Sequence, residues 1–295
     1  MRLPLLFLLI LNSAIASAQK KLLVFQTDFG LRDGAVAAMK GVALSVSPGL
    51  QLYDITHEIP AYNIWEAGYR LEQTAQYWPK GTVFVSVVDP GVGTDRRSIV
   101  LETRSGHYFV GPDNGQFTLV AQSLGIRTVH EIDETINRRK ESGQSYTFHG
   151  RDVYAFTGAR LAAGIINLDK VGKKLADTIV TIRYQQAELA GKEIRGNIPI
   201  LDIQYGNVWT NMPAAMLRRL DISTGDSILV TIFHKGQQVY SATLPYVNTF
   251  GDVQERRELA YLNSLLQLSF AINMADFAKT HNIASGPDWS VRVSK

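Results

Sequence analysis

In the stretch GTVFVSVVDPGVGTDRR, Gly81 to Arg97, a short apolar run gives way abruptly to a loop carrying two aspartates, a Pro, two glycines and two arginines. VFVSVV is rich in β-branched residues and reads as a buried strand. A strand buried on both faces belongs in a parallel sheet, whose crossovers are helices, so its flanks should alternate between the two periods. Upstream, KLLVFQTDFG is a strand ending in a polar loop, DGAVAAMKGVALSVSP has helical spacing up to Pro48, QLYDITHEI is a second strand, and NIWEAGYRLEQTAQYW is an amphipathic helix. Downstream, SIVLET and HYFVG, joined by Arg104, Ser105 and Gly106, read as an antiparallel hairpin. DVYAFTGARLAAGI, from Asp152, closes the pattern as a helix. Right-handed βαβ crossovers and a mainly parallel sheet follow.

The pattern changes after about Ile182. A short polar segment, Gln185 to Lys192, precedes NIPILDIQYG, DSILVTIFHKG, QQVYSATLPYV and WSVRV, which read as short strands separated by turns. Only LAYLNSLLQLSFAINMADFAKTH interrupts them, part helical or extended. The expected organisation is an α/β N-terminal domain over residues 19–184 and a smaller β-rich C-terminal domain over residues 193–295. Residues 1–18 have a positive Arg2, an apolar run from Leu5 to Leu11 and a small-residue site at Ala16-Ser17-Ala18, the three parts of a secretory signal peptide. That run is short against the roughly 20 residues a span requires, which favours export over an uncleaved anchor. An exported chain, periplasmic or secreted and free of the membrane after cleavage, is the expectation.

The chain has 295 residues, 45% of them hydrophobic, and 30 basic against 27 acidic side chains mixed along it. Without a clustered basic face, nucleic acid is not an expected partner. There are no cysteines, so disulfides, thiolate metal sites and a lipid-modified cysteine are excluded.

In open α/β sheets ligands lie beyond the carboxyl ends of the strands. TDFGLRD (Thr27 to Asp33), DPGVGTDRR and YTFHGRD (Tyr146 to Asp152) fall there. Asp28 and Asp33 flank a Gly and precede a helix; they serve either as turn and N-cap residues or as carboxylates for a ribose diol. DPGVGTDRR invites a phosphate-loop reading, but no third glycine and no Gly-Lys-Ser/Thr follow Gly91-Val92-Gly93, so that reading fails. A surface turn with solvated arginines is the plain alternative. His149 is one of six histidines and has no partner at metal-ligand spacing, so no metal is expected. GPDNG, Gly111 to Gly115, has turn chemistry.

Taken together, TDFG, DPGVGT followed by Asp-Arg-Arg, GPDNG, TFHGRD and, later, YGNVWTN occur in the order seen in the S-adenosyl-L-methionine hydroxide adenosyltransferases, which the chain resembles from Leu22 to about Val293. These are relatives of the fluorinase and chlorinase. The resemblance implies an α/β domain followed by a barrel-like β domain, and homotrimers whose sites lie between the N-terminal domain of one subunit and the C-terminal domain of the next. It implies replacement of methionine at ribose C5′ by water, giving adenosine and L-methionine, with S-adenosyl-L-methionine as substrate and no cofactor. Asp89, Arg96 and His149 match the residues that act on the water. Asp28 matches the ribose carboxylate, with Asp33 beside it; Tyr62 falls where the halogenases place a Trp. Asp202 matches the partner of the methionine ammonium, Asn207 a partner of the adenine, Trp209 a wall of the methionine pocket and Ser264 a partner of the methionine carboxylate. The fluorinase has Tyr-Ser where this chain has His149-Gly150, and an arginine where it has Leu265; the first departure favours hydrolysis.

The sulfonium departs as a neutral thioether, so the expected task is to aim and activate water. Orientation of this kind is worth about 7–11 kcal/mol when reacting atoms are held near contact. Arg96 cannot be a base. Asp89 beside it is expected to be a weak one, and neutral His149 to share or take the proton. Two other readings stand beside this one: an exported protein that captures a nucleoside-type ligand without turnover, and a chlorinase in which Gly150 leaves space for a larger anion.

Overall fold

The computed structural model describes residues 21–295, so the segment read as a signal peptide lies outside the described residues. The N-terminal half is built on a six-stranded sheet of β1 (Leu22–Thr27), β2 (Gln51–Thr56), β3 (Val83–Val87), β4 (Ser98–Thr103), β5 (Tyr108–Pro112) and β6 (Ile126–Glu131). Their order is β2-β1-β3-β5-β4-β6. β1 pairs parallel with β2 and β3, and β3 with β5. Only β4 runs the other way, antiparallel to both its neighbours. The sheet is mixed and mostly parallel, and the β4–β5 hairpin sits where the turn residues put it.

Strand alternation divides the core. Leu23 and Phe25 of β1 and Val83 and Val85 of β3 pack with Met39 and Ala43 of α1 (Ala35–Val46) and with Ala159 of α4 (Phe156–Ala162). Val24 and Phe84 face the opposite way, onto Leu71 and Ala75 of α2 (Ile64–Ala75) and Val120 of α3 (Thr118–Leu124). Both faces are covered, which is why β1, β3 and β4 are buried at every position. The Asn63 side chain caps α2, accepting from the Glu66 amide at 3.0 Å.

The C-terminal half holds two antiparallel sheets. One has the order β13-β14-β10-β9, from β9 (Ile200–Leu201), β10 (Val208–Pro213), β13 (Glu258–Leu262) and β14 (Gln267–Ile272). The other has the order β12-β11-β15-β8-β7, from β7 (Glu188–Ala190), β8 (Glu193–Asn197), β11 (Ser227–His234), β12 (Gln237–Pro245) and β15 (Trp289–Ser294). They share one core, in which Val208, Met212 and Phe270 meet Ile194, Val230 and Val291. The barrel-like expectation needs correcting in this respect: among the described residues each sheet keeps open edges and no barrel closes. The ambiguous stretch 259–281 resolves into the β13–β14 hairpin and the short α6 (Phe277–His281), and the polar segment 185–192 carries β7. α5 (Ala214–Arg219) follows β10. The halves meet where the Trp65 indole of α2 donates to the Pro199 carbonyl at 2.8 Å, beside Tyr184, Ile200 and Trp209.

Candidate active site

Because β2, β1 and β3 are adjacent and parallel, the loops at their carboxyl ends converge. A cavity of about 250 Å3 opens there, lined by Asp28 and Phe29 after β1, Ala61 and Tyr62 after β2, Asp89 and Val92 after β3, and Thr147 to Gly150. Asp28, Tyr62, Asp89 and His149 thus come together from four separate stretches. Arg96 stands behind Asp89: its Nε donates to Oδ1 at 2.9 Å and its Nη2 to Oδ2 at 2.5 Å. The carboxylate side chain is 5% exposed and the guanidinium side chain 12%. A bidentate pair this buried is held in one geometry. Burial works against the Arg96 charge, but its hydrogen bond to Asp89 outweighs that and raises its pKa further.

The loop glycines make this pairing possible. Gly93 has φ +80°, a left-handed conformation that side-chain-bearing residues seldom adopt. A Cβ on Gly91 would lie 3.3 Å from both Arg96 Cγ and Thr94 Oγ1. Two turns follow in succession, Val92 N to Asp89 O and Thr94 N to Gly91 O, and they return Arg96 to Asp89. GPDNG buttresses the loop. Asp113 pairs with Arg97, and Asn114 Nδ2 donates to the Val88 carbonyl at 2.8 Å, one residue before Asp89. Arg97 is therefore structural.

Asp28 accepts from the Tyr62 amide at 2.9 Å through Oδ2, which draws the loop after β2 over the cavity. Tyr62 adopts φ 68° and its side chain is largely exposed. Asp33 does not line the cavity; its Oδ1 accepts from the Ala35 amide at 2.9 Å, a turn role, while the N-cap of α1 is Gly34. His149 is 4% exposed, at the entry to a π-helical turn over Gly150–Ala155 that runs into α4. Such turns recur at functional sites. The following Arg151 and Asp152 do not face the cavity: Asp152 is buried and takes bonds from Arg151 at 2.8 and 2.7 Å and from Arg139 at 3.2 Å. A Cβ on Gly150 would lie 3.3 Å from two carbons of the Phe29 ring and from Val87 Cγ1. Gly150 itself lines the cavity, where the lack of a side chain leaves that wall open.

The four predicted residues of the C-terminal half lie elsewhere. Asp202 lines a groove with Glu66, Ile203 and Asp276, and Asn207 a mostly apolar cavity with Tyr205, Phe250 and Met274. The two touch each other, Asn207 Nδ2 donating to Asp202 Oδ2 at 3.4 Å. Trp209 is half-buried at the junction of the halves, and Ser264 is exposed in the β13–β14 turn. None of the four lines the cavity that holds Asp89 and His149. Phe29, Thr147 and Phe148, wall residues not singled out in the sequence, were inside the quoted motifs. Tyr205 opens the quoted YGNVWTN, whereas Phe250 is marked only as an aromatic residue stranded in a polar loop.

The comparisons with known proteins agree with this layout. Residues 23–172 match the SAM hydroxide adenosyltransferase N-terminal domain, and residues 196–290 the C-terminal domain of the same family. The chain is 39% identical to an (R)-S-adenosyl-L-methionine hydrolase of Methanocaldococcus jannaschii, over 72% of this chain and 74% of that one. It is 31% identical to a fluorinase of Nocardia brasiliensis, over 94% and 98%. Among solved structures, an uncharacterized conserved protein from Thermotoga maritima superimposes with a TM-score of 0.82 at 31% identity, covering 92% of this chain and all of that one. With both halves matched in order and motif residues of the N-terminal half gathered around one cavity, the chain belongs to the SAM hydroxide adenosyltransferase family.

Proposed function

We propose that this protein hydrolyses S-adenosyl-L-methionine to adenosine and L-methionine by attack of water on ribose C5′. The observation that carries the reading is the buried Asp89–Arg96 pair facing the same small cavity as His149 and Asp28. A binding protein has no need of a rigid ion pair and an imidazole converging on one point. In the proposed reaction Asp28 takes the ribose hydroxyls, while Asp89 and His149 orient the water along the line of the departing sulfur. The Arg96 charge stabilises the hydroxide character that develops as the proton leaves. No cofactor is invoked. Relatives named as hydrolases and as fluorinases both match, and the His149-Gly150 pair, standing where the fluorinase has Tyr-Ser, lacks the hydroxyl that helps hold fluoride and so favours water over fluoride.

We further propose that the working unit is a homotrimer in which Asp202, Asn207, Trp209 and Ser264 of one subunit complete the cavity of another. Two features support it: these residues lie elsewhere on their own chain, and largely exposed apolar or aromatic side chains line both places, Tyr62 at one and Ile203, Tyr205 and Met274 at the other. Export through residues 1–18, a chain divided as 19–184 and 193–295, and a small-molecule substrate without nucleic acid complete the reading. Among the described residues no helix is long and apolar enough to cross a membrane.

The test is product identity. Purified protein incubated with S-adenosyl-L-methionine, with and without chloride, should release adenosine and methionine at the same rate in both. Formation of 5′-chloro-5′-deoxyadenosine would assign the chlorinase reading, and binding without turnover the capture reading.

A further inference from the structure

His149 does not stand alone against the cavity. Its Nδ1 lies 3.0 Å from the Tyr146 carbonyl, which can only accept, so Nδ1 carries a proton. Its Nε2 lies 3.1 Å from Arg138 Nη2, which can only donate, so in the neutral ring Nε2 is the acceptor. The same Nε2 is 3.4 Å from Glu134 Oε2, and Arg138 Nη2 bonds that oxygen at 2.5 Å. Arg138 is otherwise pinned over the Tyr146 ring, 4.9 Å from its centre. Burial would raise the Glu134 carboxyl, but the hydrogen bond and charge of Arg138, joined by His149 when its ring is charged, lower it, so it is ionised at neutral pH. The other Glu134 oxygen accepts from Ser98 Oγ at 3.1 Å, and Ser98 Oγ in turn accepts from Arg96 Nη1 at 3.1 Å. A chain of polar contacts therefore runs from Asp89 through Arg96, Ser98 and Glu134 to His149, closed beneath by the Tyr154 hydroxyl, 3.2 Å from Ser98 Oγ.

We propose that Glu134 and Arg138 are positioning residues for His149, Arg138 keeping Nε2 free of a proton in the resting ring and Glu134 receiving the Nε2–H when the ring becomes charged. This rests on the hydrolysis proposed above. In that step the water oxygen forms its bond to C5′, the C5′–S bond breaks with its electron pair passing to sulfur, and the water proton goes to the His149 Nε2 lone pair, which the ring must first turn from Arg138 toward the cavity. The Arg138 hydrogen bond shifts wholly to Glu134, and the new imidazolium faces a carboxylate already ionised. Neither residue touches the cavity, and no motif contains them; both come from the turn after β6.

The experiment uses the protein labelled with 15N-histidine, His149 being assigned by loss of its signals in His149→Gln. At neutral pH the wild type and Glu134→Gln should show Nδ1 protonated and Nε2 unprotonated. Arg138→Met, which removes the donor and leaves the carboxylate facing the nitrogen, should show Nε2 protonated. In steady-state assays Glu134→Gln and Arg138→Met should lower kcat roughly 10- to 100-fold, the scale of loss when the orienting partner of a metal-bound histidine is removed, with KM within about threefold of wild type, and Glu134→Asp should recover part of the loss. Nε2 protonated in the wild type, Nε2 unprotonated in folded Arg138→Met, or an unchanged kcat in Glu134→Gln would overturn the proposal. Absence of turnover in the wild type would sink the hydrolase reading alone, since the nitrogen spectra still decide the tautomer.

Discussion

Two Arg–Asp clusters lie within a few residues of the cavity and do different work. Asp89 with Arg96 faces inward and orients; Asp152 with Arg151 and Arg139 ties the segment before α4 to the helix it enters. Burial would raise the Asp152 carboxyl, but hydrogen bonds from the two arginines outweigh it and hold its pKa below the usual 3.8. A carboxylate with a lowered folded pKa contributes stability that is present above the unfolded value and is lost as pH falls through the folded one. Asp152→Asn should therefore cost about 3 kcal/mol at pH 7, the low end for a broken buried pair because both arginines remain partly exposed. It should also flatten the fall of stability below about pH 4. Urea denaturation of both proteins at a series of pH values checks this; equal curves would make the cluster ornamental. The sequence made Asp89, Arg96 and His149 legible because each sits in a loop whose glycines or flanking turn mark it. It made Glu134 and Arg138 illegible, since their meeting with His149 depends on where β6 delivers a loop with no motif of its own.

At the scale of elements, apolar runs at strand length betrayed β1 and β3, and the period of 3.6 betrayed α1 and α2. IRTVHE, which became β6, has β4 as its one strand partner in the sheet, with a bridge from His130 to Lys174 on its other side, and carries polar residues that blur the signal. β9, at two residues, is too short to show a period, and the two-sheet arrangement of the C-terminal half is set by long-range pairing such as β8 with β15, nearly a hundred residues apart in the chain. How the site-bearing segment before α4 is seated depends on one close approach. A Cβ on Gly158 would fall 2.5 Å from Val85 Cγ2, so α4 lies against β3 only because that residue has no side chain. Gly158→Ala should destabilise the fold by about 1–3 kcal/mol through overpacking, despite the better helix propensity of alanine. A thermal midpoint equal to or above that of wild type would show that α4 can move away without cost.

For the whole molecule, the separation of the predicted site into two groups of residues is the feature with most consequence. If one subunit supplies Asp89 and another Asp202, neither Asp89→Asn nor Asp202→Asn is active alone. Co-expressed in equal amounts, the two should recover about a quarter of wild-type activity, the statistical share of sites with both halves intact in a closed ring. A mixture as inactive as its components would place the whole site within one chain. The central claim is narrower: water held by Asp89, Arg96 and His149 attacks C5′. Its most direct test is S-adenosyl-L-methionine turnover in 18O-water by wild type and by Asp89→Asn, with mass analysis of the adenosine 5′ oxygen. The account predicts one 18O at that position in the wild-type product and a rate lower by at least about 100-fold in the variant; unlabelled adenosine, or an Asp89→Asn rate equal to wild type, would contradict it.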